Sequence, residues 1–138
     1  MAYAAKQDLI DRYSEDELIQ LTDRAAPPSG AIDDQVLARA LDDATAEIDL
    51  YIGARFGNLV GTAHPALKEA CEVLARERLF RDRATDVVKA DAERVRKELR
   101  DVASGLATLS GGAVVSVASP VTYQPGGRIF TRDTMADF

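Results

Sequence analysis

The sequence predicts a mainly α fold: a small helical bundle over residues 1–108, then an extended C-terminal arm, 109–138, with room for a short β segment. Three observations carry this. Apolar residues recur at three- and four-residue intervals through most of the chain before Gly105. Helix start and stop signals fall at the ends of those stripes. Alanine is abundant and tryptophan absent. Alanine favours helices and buries little area, so thin, closely packed helices are expected rather than a wide core. At 138 residues the chain has the length of one domain.

A short opening helix is expected over 4–13, with Leu9 and Ile10 as its apolar contacts. Ser14 then precedes Glu15, Asp16 and Glu17, a serine followed three residues later by glutamate. That is a capping box, and the acids also suit the positive end of a helix dipole. The second helix carries Leu18, Ile19 and Leu21 and ends near Thr22. Pro27 and Pro28, followed by Ser29 and Gly30, force a loop. Asp33 or Asp34 starts a longer helix in which Leu37, Leu41, Ala44, Ile48, Tyr51 and Phe56 form the stripe. Gly57 stands where a left-handed C-terminal cap is expected.

Pro65 fits the first position of the next helix, where its missing N–H costs nothing. Leu67, Cys71, Leu74 and either Arg78 or Leu79 continue the pattern. Thr85 caps a last helix with Val88, Ala92, Val95, Leu99, Val102 and Leu106, ended by Gly105. Leu41, Ile48, Leu74, Val95 and Leu99 are the expected core. From Gly111-Gly112 the pattern changes: Val115, Val117, Val121 and Tyr123 suggest extended structure, and Pro125-Gly126-Gly127 a hinge. The chain then finishes on Ile129, Phe130, Arg132, Met135 and Phe138. Termini are ordinarily polar and frayed, so this apolar end implies a partner that buries it.

The formal net charge is −6, which disfavours nucleic acid as the main partner, because phosphate binding relies on a basic surface. The charge is unevenly placed. Residues 1–60 hold 12 acids and 5 bases, 61–105 hold 9 acids and 10 bases, and 106–138 are neutral. Arg76, Arg78, Arg81 and Arg83 cluster, interleaved with Glu77 and Asp82. That pattern suits ion pairs within or between subunits better than phosphate contacts, since there is no aromatic platform. Either the acidic N-terminal helices meet these arginines in the same bundle, or Asp11, Glu15 and Asp16 of one subunit face the arginines of its neighbour. The second arrangement leaves excess acid to line a channel.

Catalytic, cofactor and metal sites are not expected. His64, the one histidine, precedes Pro65 in a loop with no ligand or nucleophile at useful spacing, and reads as a solvated residue. Cys71 lies on an apolar stripe and reads as a small hydrophobe. A single cysteine permits no internal disulfide. Gly30 and Ile32 mimic an EF-hand register, but the ligand positions would then be Ala25, Pro27, Ser29 and Val36, without the bidentate glutamate calcium requires. The pairs Asp33-Asp34 and Asp42-Asp43 read as helix starts and solvated surface. No apolar run approaches the roughly 20 residues of a membrane span, and the first ten residues do not read as a signal peptide.

Several segments resemble one family. They are Asp8-Leu9-Ile10 with Arg12-Tyr13, the run 17–24 (ELIQLTDR), the run 44–52 (ATAEIDLYI) with Arg55-Phe56, and Arg81-Asp82-Arg83-Ala84-Thr85. Leu99-Arg100-Asp101-Val102-Ala103-Ser104-Gly105 and Arg128-Ile129-Phe130-Thr131-Arg132-Asp133 complete the set. In order and over nearly the whole chain, these are similar to a Mu-type phage and prophage family encoded among head and neck genes. The Pro27-Pro28 loop and the stretch before Arg128 depart from its pattern, and both are loops.

The resemblance implies a head–tail connector or head-completion protein that forms a homo-oligomeric ring beneath the portal. It carries over no catalytic residue. The expected partners are other copies of the chain, the portal and a tail or tail-terminator protein, with genome DNA passing through the channel and no membrane. The expected location is the virion neck, after assembly in the host cytoplasm. The residues expected at interfaces are Arg76, Arg78, Arg81, Arg83, Ile129, Phe130, Arg132, Met135 and Phe138. The alternative is a DNA-contacting head-completion or packaging factor that uses the arginines of 76–83.

Overall fold

The computed structural model describes residues 2–109. The arm expected beyond Leu109, with Ile129, Phe130, Arg132, Met135 and Phe138, lies outside the described residues. Among the described residues the chain is mainly α, with helices α1 (Lys6–Tyr13), α2 (Glu15–Thr22), α3 (Asp34–Ile52), α4 (Pro65–Phe80) and α5 (Asp86–Ser104) and 3-10 turns at Gly57–Leu59 and Arg81–Arg83. The three long helices form the body. α3 packs most extensively on α4, α5 lies against both, and α1 and α2 fold on each other with α2 touching α3 and α4.

Local chemistry sets the helix ends. The carboxylate of Asp8 accepts the Ala5 amide at 2.8 Å, closing the start of α1. Asp33 caps α3 by accepting from the Gln35 and Val36 amides at 2.9 and 3.2 Å. Pro65 opens α4, and Thr85 accepts from the Val88 amide to start α5. Gly105 ends α5 in the left-handed region at φ +85°, a conformation glycine adopts without a Cβ penalty. A Cβ there would also strike the Arg55 guanidinium.

The structure departs from the sequence reading in three places. Ser14 does accept from the Glu17 amide, at 3.5 Å. The Glu17 side chain, however, meets Arg76 instead of closing the box. α3 stops at Ile52 with a right-handed cap at Gly53, and Gly57 begins a 3-10 turn. Phe56 is still fully buried, because the turn folds it back under α3. Leu106, placed on the last stripe, is 83% exposed: the left-handed turn at Gly105 rotates it off the helix face.

The core is one cluster running through every helix. Leu41, Ile48, Leu74, Val95 and Leu99 are all buried in it, as expected. α4 sits at its centre. Its residues Ala70, Cys71, Glu72, Val73, Leu74 and Ala75 are consecutive and all buried. At about 100° per residue such a run leaves no face for solvent. Tyr3 adds a tether that the sequence did not announce. Its hydroxyl donates to Asp49 and accepts from the Gly61 amide, and burial, with the Asp49 contact, raises its pKa to about 12.

Charge pairs lie over these apolar layers. Arg96 of α5 bonds Glu47 of α3 at 2.7 Å and Glu77 of α4 at 2.5 Å, and Arg78 adds a second bond to Glu47 at 2.7 Å. Burial pushes the Glu47 carboxyl up, but Arg96 and Arg78 outweigh it and hold the group below the ordinary range. On the opposite flank Arg12 of α1 meets the buried Glu72 at 2.9 Å, and Lys68 meets Asp8 at 2.6 Å.

Leu99→Ala should lower the unfolding free energy by about 2–5 kcal/mol in urea titrations with an unchanged slope. Because the folded value of Glu47 is depressed, its stabilising contribution is complete above the ordinary glutamate value of about 4.3 and is lost as pH falls through the lower folded value. Unfolding midpoints measured against pH should therefore drop on the acid side of that value, and Glu47→Gln should flatten the drop.

Candidate interaction surface

The four arginines singled out from 76–83 divide into two pairs. Arg76 donates from Nε to Glu17 of α2 at 2.7 Å, and its guanidinium lies 4.4 Å from the Tyr13 ring centroid and 5.5 Å from that of Phe80. Arg78 is held by Glu47. Both acids belong to the same chain, so for this pair the arginine cluster is met within the bundle. Arg81 and Arg83 stand in the 3-10 turn after α4, exposed and without an ion pair among the described residues. Arg81 adopts φ +52°, a region that L side chains rarely occupy.

The turn places Arg81 in the lining of a cavity of about 130 Å³, together with Arg24, Arg39, Asp43, Arg78 and Leu79. Arg24 follows directly on α2, and Arg39 lies on the exposed face of α3. Sequence reading missed both, because they lie far from Arg81 along the chain and only the packing of α2, α3 and α4 brings the three together. The crowding has an electrostatic signature. Burial, then repulsion from Arg81 and Arg83, lowers the pKa of Arg24 below the usual guanidinium value, with only Asp33 acting against them.

A second recess is apolar. Leu67 and Ala70 of α4, Leu99 and Val102 of α5, and Ala107 and Leu109 beyond it line a cleft of about 190 Å³. Glu98 and Asp101 of α5 also border it. Large apolar side chains also stand on the surface singly: Leu50 is 84% exposed and Val87 67%.

The two residues weighed for chemistry have structural places. His64 precedes α4 and caps it, its Nδ1 accepting the Ala66 amide at 3.2 Å; it is half-buried rather than fully solvated. Cys71 is fully buried beside Thr45, at 3.7 Å, and burial pushes its thiol above the ordinary value, which disfavours the reactive thiolate. Arg55 Nε, beside Gly105, is buried without a hydrogen-bond partner among the described residues. No helix among the described residues is long and apolar enough to cross a membrane.

Comparison with known proteins gives a consistent result. The model of the family "Bacteriophage Mu, Gp36" matches residues 3–121. The Mu-like prophage FluMu protein gp36 of Haemophilus influenzae is 30% identical over 139 residues, covering 99% of this chain and 97% of that protein. Gene product J of Escherichia phage Mu is 36% identical over 104 residues, covering 73% of each chain. The helical bundle, the apolar cleft and the arginine pocket are therefore features of a chain that belongs to the Mu Gp36 family of phage proteins.

Proposed function

We propose that this chain is a structural virion protein of the head–tail junction, a connector subunit that assembles with its own copies into a ring between portal and tail. The role is one of assembly rather than catalysis, with no cofactor or metal. Family membership supports a phage role. The observation that carries the finer reading is the apolar cleft between α4 and α5. It is lined by Leu67, Leu99 and Val102 and lies beside Leu109, and the sequence that follows ends on Ile129, Phe130, Met135 and Phe138. An apolar recess on one subunit and an apolar segment in the same sequence are complementary in chemistry, and heterologous contact between identical chains closes into a ring when the rotation per subunit divides a full turn.

The alternative, a DNA-contacting head-completion or packaging factor, loses two of its four arginines to Glu17 and Glu47. The net charge of −6 also weighs against it.

Gold-labelled antibody on purified particles, imaged in negative stain, should decorate the head–tail junction. Label on the capsid shell or the tail tip, or unlabelled particles, would reject the reading. Deleting residues 126–138 should leave the helical dichroism and melting of the bundle unchanged while abolishing incorporation into particles. If the truncated chain unfolds, that segment belongs to the core of its own subunit.

A further inference from the structure

We propose that the pocket formed by Arg24, Arg39 and Arg81 is a socket for the carboxylates of Glu15 and Asp16 from a second copy of this chain. This rests on the ring reading above and names one of its contacts.

The charge count comes first. Arg78, also at the pocket, is neutralised by Glu47 at 2.7 Å. Asp43 lines the same cavity as the remaining three guanidinium groups. Asp33 also acts on Arg24, though neither acid forms an ion pair with these arginines among the described residues. Arg24, Arg39 and Arg81 form no ion pair among the described residues, although the chain carries 23 acids to 17 Lys and Arg. An acidic protein that leaves arginines together and unpaired in a concave place has a local surplus that its own fold does not satisfy. The backbone of Arg81, at φ +52°, holds one of these groups at the rim against its own conformational preference.

The complementary surplus lies elsewhere on the same molecule. Glu15 and Asp16 are adjacent, exposed, and without an ion pair among the described residues. They stand at the start of α2, whereas Arg24 lies just past its end. At 1.5 Å per residue the helix keeps the two sites roughly 12 Å apart along its axis, so they do not meet within one chain. Two exposed carboxylates suit a cavity lined by three guanidinium groups that form no ion pair among the described residues. A contact that sets one face of a subunit against a different face of the next, as in a ring, brings them together.

Duplex DNA fits the pocket less well. Phosphates along a duplex ask for an extended basic stripe, whereas these arginines line a small cavity on a chain of net charge −6.

The test is a charge swap in the full chain, read by sedimentation velocity. Two variants are made, Arg24→Glu/Arg81→Glu and Glu15→Arg/Asp16→Arg, and circular dichroism establishes that each is folded. Association of the natural chain should be strongest near 0.01 M salt, where screening acts over roughly 30 Å, and weaker at 0.1 M, where it acts over about 10 Å. Each variant alone should lose at least about tenfold in association constant, equivalent to about 1.4 kcal/mol. An equimolar mixture of the two should recover it, because the reversed socket of one variant meets the reversed acids of the other while the natural socket still meets the natural acids.

Three outcomes would overturn the proposal: a natural chain that stays monomeric at low salt, folded variants that associate as the natural chain does, or a mixture that recovers nothing. Binding of short duplex DNA by the natural chain but not by Arg24→Glu/Arg81→Glu would assign the pocket to phosphate instead. Swapped variants that associate normally, in a protein that still labels the head–tail junction, would sink this contact and leave the ring reading standing. Label elsewhere would sink the ring reading itself.

Discussion

Everything in this fold is arranged around the need to enclose α4. Six consecutive buried residues, Ala70 to Ala75, leave the middle of that helix no solvent face, so other elements must cover that stretch on every side. α3 and α5 supply two walls and the α1–α2 hairpin closes more of the circumference. Small side chains at Ala70, Cys71 and Ala75 let the covering helices approach closely, and the alanine-rich composition makes this geometry attainable. Enclosure also brings a charge inside. Glu72 falls within the buried run and is 5% exposed, and an isolated carboxylate there would be strongly destabilising. Arg12 meets it at 2.9 Å. The position of α1 is thus tied to an electrostatic demand as well as an apolar one.

The same enclosure explains why ion pairs concentrate on the long helices. Arg96 draws together Glu47 and Glu77 from the two helices it faces, and Arg78 shares Glu47. Isolated surface pairs contribute little, about 0–1 kcal/mol. Half-buried pairs that share a central guanidinium are screened less by solvent and fix the rotation of α3, α4 and α5 about their axes. The apolar layers determine that the helices pack, and these pairs help determine in which register.

The sequence carried the helices well, because their signals are local. Asp33, Pro65, Thr85 and Gly105 each act on the backbone within a few residues, and the stripes through Leu41, Ile48, Leu74 and Leu99 report a face directly. Misreadings arose where a distant group competed or a single backbone angle broke the period. Glu17 has the spacing of a capping box but is taken by Arg76, 59 residues away. Gly57 has the composition of a cap, yet the helix had already ended at Ile52, and burial of Phe56 governs the turn. Leu106 keeps the four-residue interval on paper, but the left-handed residue before it breaks the angular relation. The arginine cluster shows the limit most plainly. Proximity along the chain grouped Arg76 with Arg83, whereas the fold sends Arg76 and Arg78 to acids on other helices and assembles Arg81 with Arg24 and Arg39. No linear pattern encodes that exchange of neighbours, since it depends on where α2, α3 and α4 end relative to one another.

The end of α5 has a consequence for how the polypeptide leaves the bundle. The amides of Leu106 and Ala107 both bond back to the Asp101 carbonyl, at 2.8 and 3.1 Å, while Arg55 crowds against Gly105. The chain therefore leaves α5 folded back against its last turn as far as Ala107. Any residue but glycine at 105 would have to displace the Arg55 guanidinium as well as adopt a left-handed backbone, so a substitution there would disturb two parts of the bundle at once.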